Sequence, residues 1–308
     1  VNVPIGIVAI ALTPHLVTES RSELGRRGFD LPGAAAVTTG LSALVYALVR
    51  ATSVGWGSAQ TIGMLAAAAV LLVAFVVIER RSDAPLVPFS FFRLGSVSAA
   101  NATMLAAGAA IIGLFYYLSL YLQKVLGYSA IAAGVSQLPL AVGIVVAAGL
   151  ASPLVDRYGV RRVLIAGLAL FAGGLVWFAQ LPVHGNYLGD ILGPSLLIAF
   201  GLGMTFVPIT ILSVTGVKDR EYGLASGLVN TSQQIGGALG LAVLSTIATS
   251  RTNHLVAASH PVNQALTLGF HAAFLGAAGF VVLGIIAAIT VGRRGTEGHE
   301  AQAAEAAA

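Results

Sequence analysis

Cysteine is absent from the 308 residues, so disulfides, thiolate metal sites and cysteine nucleophiles are excluded. Charge is almost as scarce. Sixteen Lys and Arg and 12 Asp and Glu make up 9% of the chain, against roughly 25% in a soluble globular domain. So few charges cannot solvate a surface of this size, which excludes a soluble enzyme and a disordered chain. They also argue against a nucleic-acid partner, even at a pI near 9.6. The 37 glycines follow no triplet period, so a collagen-like fibre is excluded too. What remains is apolar: 57% of residues are hydrophobic and the mean hydropathy is +0.90. Such a chain lives in a lipid bilayer.

The scarce charges divide the chain into long uncharged stretches. A helix needs about 20 mostly apolar residues to cross the hydrocarbon core. The stretches predict nine spans, at 1–17, 32–49, 61–78, 97–121, 131–152, 163–181, 191–213, 224–248 and 270–291. They are continuously apolar, without the alternation of membrane β-strands, so the expected fold class is all-α and integral to the membrane. Polar 293–308 reads as a disordered tail. The chain opens on Val1 at the threshold of an apolar helix, and the expectation is the C-terminal portion of a longer protein.

The positive-inside rule orients the spans. One set of alternate loops holds Arg21, Arg26, Arg27, Arg80, Arg81, Arg93, Arg157, Arg161, Arg162, Lys218, Arg220, Arg293 and Arg294. The other set holds only Arg50, Lys124 and Arg251. The split predicts a cytoplasmic C-terminus, with Val1 on the outer side.

No Asp, Glu, Lys or Arg sits deep in a predicted span, so no proton relay, acid pair or metal cluster is legible, and an intramembrane enzyme is disfavoured. The histidines have no metal-ligand spacing partners. Helix 224–248 carries the richest pattern. At ~100° per residue, Ser226, Asn230, Gln233, Gly237 and Gly240 share one face. Uncharged amides are costly against lipid, so this face meets other helices or water. Gly236 and Gly240 permit close backbone approach. The face reads either as interhelical packing, or as a substrate path or sliding surface between moving halves. Helix 97–121 has a weaker face of Asn101, Gly108 and Ser119. Phe115, Tyr116, Tyr117 and Tyr121 crowd its outer end as an interfacial belt or a ligand cage. Helix 191–213 contains Thr205 and Pro208, and Pro208 frees the Met204 carbonyl and predicts a kink. Pro139 predicts the same in 131–152. Asp156, Arg157, Gly159, Arg161 and Arg162 lie in the turn SPLVDRYGVRR. They read as a plain positive loop or as a latch whose acid pairs with an Arg in one conformation only.

These residues resemble a known family. Asp156 to Arg162, D-R-x-G-x-R-R, resembles the repeated cytoplasmic loop motif of the major facilitator superfamily, with Ser152 where the family has glycine. NVPIG (Asn2 to Gly6), YLQKVLGYS (Tyr121 to Ser129) with Ala133 and Gly134, and GLASGLVNTSQQIGGALG (Gly223 to Gly240) resemble its fourteen-helix drug:proton antiporters of the EmrB/QacA type. The resemblance implies a major facilitator-type bundle holding the equivalents of helices six to fourteen. Residues 1–17 would end the first half-bundle, 18–96 would hold the extra central pair, and 97–292 would be the second half-bundle. Helices 97–121 and 191–213 would line the cavity, 131–152 and 224–248 would face the first half, and 163–181 and 270–291 would be peripheral.

The same resemblance implies proton-coupled export of hydrophobic or cationic small molecules from a bacterial plasma membrane. The proton gradient would supply the energy, without a cofactor. The partners would be the lipid bilayer, a small-molecule substrate and the missing N-terminal half-bundle. Asn101, Tyr116, Ser119, Thr205, Asn230 and Gln233 are candidates for the substrate path, and Pro139, Pro208, Gly236, Gly237 and Gly240 for hinges or packing. Export of an endogenous metabolite or antibiotic, or a non-transporting sensor or assembly role, are the alternatives. Asp156→Asn is expected to cut transport at near-normal expression; a variant that exports like the wild type would overturn the latch.

Overall fold

The computed structural model describes residues 6–8, 10–13, 30–82, 85–86, 91–92, 94–218 and 221–306, apart from the side chains of 52–53 and those beyond 290. Most of the predicted span 1–17, Asn2 to Ile5 of the NVPIG motif, and the loop arginines Arg21, Arg26, Arg27, Arg93 and Arg220 lie outside the described residues. Every described element is helical, as lipid requires of a chain whose backbone groups must find partners within their own segment.

Two helices form a hairpin, α1 (Leu31–Val54) and α2 (Ala59–Arg81). Asp30 caps α1, its carboxylate accepting from the Gly33 amide at 2.9 Å, with Pro32 in the first turn where no amide is needed. Ser58 caps α2 through the Thr61 amide at 3.2 Å. A bundle follows, made of α3 (Gly95–Leu120), α4 (Ala130–Ser136), α5 (Leu138–Tyr158), α6 (Val160–Phe178), α7 (Leu192–Val214), α8 (Tyr222–Ala257) and α9 (Val262–Ala306). Single π-helical turns extend α3 at its C-terminal end (Tyr121–Val125) and precede α7 (Tyr187–Ile191).

Seven helices among the described residues are long and apolar enough to cross a membrane, where the sequence predicted nine spans. One difference is 1–17, mostly undescribed. The other is 224–248, which forms as part of the 36-residue α8 but is not among the seven. Its amides, hydroxyls and glycines dilute the apolar content. At 1.5 Å per residue α8 is about 54 Å long, so it projects well beyond a ~30 Å hydrocarbon core. The backbone of 293–306 is helical, continuing α9, where composition predicted disorder. Alanine, the best helix former, is frequent there.

The seam between α3 and α8 organises the bundle. The Ser232 hydroxyl donates to the Asn101 side-chain carbonyl at 2.8 Å, an offset of 131 residues. One turn on, a Cβ at Gly236 would overlap the Leu105 carbonyl, and a further turn on, one at Gly240 would overlap Ala109. The two helices therefore run parallel in fixed register, backbone on backbone. A second row interlocks with it, since a Cβ at Gly108 would strike the Gln233 carbonyl and one at Gly237 would lie 2.5 Å from the Ile112 side chain. Gly236, Gly237 and Gly240 thus all pack against α3. All three are buried within this bundle.

The other contacts follow the same rule. α5 and α7 run parallel, with Gly143 against Ala199 and Gly203 against Ala147. α6 and α7 run antiparallel, with Gly167 and Gly201 facing each other's backbones. α9 packs against α3, α6 and α8, partly through the Phe178 and Phe274 rings 5.3 Å apart. Its far face exposes Leu275, Val282, Leu283 and Ile286. Pro139 does not kink a continuous helix as predicted. The break comes earlier, at Gln137, and Pro139 stands in the first turn of α5, where its missing amide costs nothing. Pro208 does lie inside α7, and the sequence reading passed over Pro153 inside α5.

Gly240→Leu is expected to lower the melting temperature sharply, because overpacking costs about 1–3 kcal/mol even where side chains can yield and here backbone blocks the way. Gly227→Ala, with nothing within 4 Å, is expected to leave it unchanged or slightly raised. Size-exclusion melts in detergent compare the two, and equal curves would show that the seam does not hold the bundle.

Candidate functional site

The six residues expected on a substrate path fall into three environments. Asn101 is 5% exposed, its amide donating to the Val97 carbonyl at 2.8 Å and its oxygen accepting from Ser232. It is fully engaged in the α3–α8 seam. Thr205 is 2% exposed, donates to the Gly201 carbonyl at 2.7 Å and borders Gly167 in the α6–α7 contact. Gln233 is half-buried, and its backbone is what Gly108 meets. Ser119 accepts from the Gln123 amide at 2.7 Å, a local pair at the entrance to the π turn. Only Asn230 and Tyr116 are exposed. Asn101 and Tyr116 are 15 residues apart on α3, about 22 Å along a helix axis, so the six do not converge on one site.

Exposed polar residues cluster on α8. Ser226, Asn230, Thr231 and Gln234 are exposed, while Gly236, Gly237 and Gly240, further along the same helix, are buried on α3. The face that the sequence drew through Ser226, Asn230, Gly237 and Gly240 is thus exposed at its start and covered beyond it. An amide in lipid has no partner for its hydrogen bonds, so this face requires other helices or water. Ser232, the partner of Asn101, escaped the sequence reading. Its signal was the four-residue spacing Ser232, Gly236, Gly240, matched by Asn101, Leu105, Ala109 on α3.

The turn between α5 and α6 is built on Gly159, whose φ of 84° ends one helix and starts the next. That left-handed backbone suits glycine and strains any residue with a Cβ. Asp156 and Arg157 are exposed, and the Arg157 guanidinium stands 5.3 Å from the Tyr158 ring centre. Arg161 donates to the Ile289 carbonyl of α9. Arg162 lines a cavity of about 370 Å³ with Tyr158, Leu212 and Ala288. None of these contacts uses the Asp156 carboxylate.

At the opposite end, tyrosines tie the connections together. The Tyr121 hydroxyl donates to the Pro182 carbonyl at 2.6 Å, and Tyr187 donates to Ser136 at 2.8 Å. A His271 ring nitrogen meets the Leu181 carbonyl at 2.8 Å. Beside them α3, α8 and α9 enclose a cavity of about 350 Å³. Tyr116 lines it, its ring edge-on to Tyr117 at 5.1 Å. Of the aromatic cluster noted in the sequence, Tyr116 and Tyr117 reach this cavity, whereas Tyr121 is fully buried.

The major facilitator superfamily model matches residues 6–241, more than half of the chain. The chain belongs to the major facilitator superfamily. It is thus a multi-pass membrane protein of a transporter family rather than an enzyme. It is 41% identical over 256 residues to the cephamycin export protein CmcT of Amycolatopsis lactamdurans, which covers 82% of this chain and 53% of that protein. It is 32% identical to the tetracenomycin C resistance and export protein of Streptomyces glaucescens, over 82% of this chain and 46% of that one. It is 34% identical to the multidrug resistance protein Stp of Mycobacterium tuberculosis, over 80% and 45%. The chain spans about half the length of the curated relatives it matches.

Seam and surface amides of this superfamily member are expected to behave differently. Asn101→Ala should destabilise the protein by about 1 kcal/mol, the scale of an interhelical hydrogen bond in a membrane, whereas Asn230→Ala should leave the melting curve in place. Equal shifts would show that the Asn101–Ser232 contact does not hold the seam.

Proposed function

We propose that this chain is the C-terminal portion of a fourteen-helix, EmrB/QacA-type exporter that couples proton entry to the efflux of hydrophobic small molecules. On this reading the 308 residues contribute nine spans, equivalent to helices six to fourteen, and the first half-bundle supplies the other wall of the cavity and the proton-carrying acid. The observation that carries the reading is the exposed polar face of α8, with Asn230, Thr231 and Gln234. In a membrane protein such a face needs a water-filled cavity or a second set of helices, and a two-halved transporter provides both. The 13 cationic residues in one set of loops against 3 in the other support a cytoplasmic C-terminus and an outer Val1.

Two relatives with "export" in their names handle antibiotics, cephamycin and tetracenomycin C. This favours an antibiotic or similar endogenous product as substrate, and it is the second reading of the same machinery. Pro208 within α7 removes a hydrogen bond to the Met204 carbonyl and supplies the bend that opening and closing would use.

The complete coding region, expressed in a bacterial host lacking its own pumps, is expected to lower ethidium accumulation severalfold, and a protonophore is expected to abolish the effect. If accumulation stays at the level of the empty vector for ethidium and for a panel of antibiotics, the exporter reading falls and a sensor or assembly role takes its place.

A further inference from the structure

The cavity between the outer ends of α3, α8 and α9 has a chemical character that the exporter reading does not assign. Its wall on one side is aromatic, with Tyr116, Tyr117 and Phe270, the last two rings 5.6 Å apart. Its wall on the other side is a polar stripe of α8, where Ser245, Thr249, Thr252 and Asn253 recur at the spacing of one helix face. Lys124, from the π turn that extends α3, is the single charged side chain among the lining residues, and no acid lines the space. The π turn matters here because its extra residue rotates the end of α3. The volume of about 350 Å³ lies in the range of small-molecule pockets, which are mostly apolar with a few placed polar groups.

We infer that this cavity binds an anionic aromatic small molecule, the ring lying among the tyrosines and Phe270 and the acid group facing Lys124 and the α8 hydroxyls. A cation of the same shape would be repelled by Lys124, and nothing on the wall offers it a counter-charge. The Thr249 hydroxyl and the Asn253 amide can donate to an oxyanion, while the Thr252 hydroxyl donates to the Ala265 carbonyl at 3.4 Å. Three aromatic rings offer a planar guest edge-on or stacked contacts. As a site on the export path, the cavity rests on the exporter reading and narrows its substrates toward acids. As a binding site it stands without that reading.

The test uses two probes that share one ring, naphthalene-1-sulfonate and 1-naphthylmethylammonium. Each is titrated calorimetrically into the complete protein in phosphatidylcholine nanodiscs. The sulfonate is expected to bind at least tenfold more tightly than the ammonium. Lys124→Gln should weaken it about tenfold, as for loss of a charge-assisted hydrogen bond. Thr249→Trp, which fills the space and leaves the charge, should remove binding, and Arg251→Gln, an outer cation outside the lining, should change nothing. Equal affinity for the two probes, or unchanged sulfonate binding in Lys124→Gln and in Thr249→Trp, would overturn the inference. Displacement of the sulfonate when phosphatidylglycerol replaces phosphatidylcholine would assign the site to a lipid headgroup and overturn the small-molecule occupant. Dye efflux measured in cells is a separate readout, so loss of efflux with intact binding removes only the exporter reading. Intact efflux without binding removes only this site.

Discussion

The absence of any gain from moving apolar side chains out of lipid governs this bundle. Leucine against a lipid tail is as well placed as leucine against leucine, so helices associate only where they approach closely enough for dense packing or for hydrogen bonds between them. In the α3–α8 seam both conditions hold in one register. Gly236 and Gly240 admit the α3 backbone, and one turn before them the Asn101–Ser232 hydrogen bond fixes the same offset of 131 residues. A slip by one residue would set a side chain against a carbonyl and break that bond together. Among the seven described helices long and apolar enough to cross a membrane, α3 is the most covered.

From that seam the remaining contacts follow a pattern. α3 runs parallel to α8, and α5 parallel to α7, each pair closed by glycine against alanine or carbonyl. α6 and α9 run antiparallel to their neighbours and bring phenylalanine rings together. Parallel partners cannot be adjacent in the chain, since consecutive spans reverse direction. The seams must therefore join helices distant in sequence, and they bind separate hairpins into one body. The tyrosine hydroxyls at one end do the same for the connections, linking the end of α3 to Pro182 and the start of α7 to Ser136.

Much of this was legible in the residues. Long apolar runs between scarce charges place α1, α2, α3, α5, α6, α7 and α9, because a bilayer tolerates few other solutions. Gly159 was legible as a turn because its left-handed φ is a local property. The break at Gln137 was not, since Pro139 is compatible with a kink or with a fresh first turn. The partners of Asn101 and Thr205 were hidden for another reason. A polar residue in an apolar helix announces that it needs a partner, but periodicity says nothing about which helix supplies it. The α8 stripe of Ser245, Thr249, Thr252 and Asn253 was present in the spacing and went unread because it continues past the predicted end of the span.

α8 shows how one helix serves two demands that pull in opposite directions. Its glycines lower its hydropathy and its helix propensity, yet they are what lets it reach α3. Its amides cannot face lipid, yet Asn230 and Gln234 are left exposed by the bundle. A helix that carries both close-packed glycines and exposed amides is unstable alone in a membrane. Once the glycine face is fixed to α3, the polar face has no rotational freedom to hide. Its position is set by the seam, so whatever water or helix covers Asn230 must come to it. The packing of the bundle thereby determines where the polar surface stands, and a change at Gly236 or Gly240 that rotated α8 would move that surface without touching any residue on it.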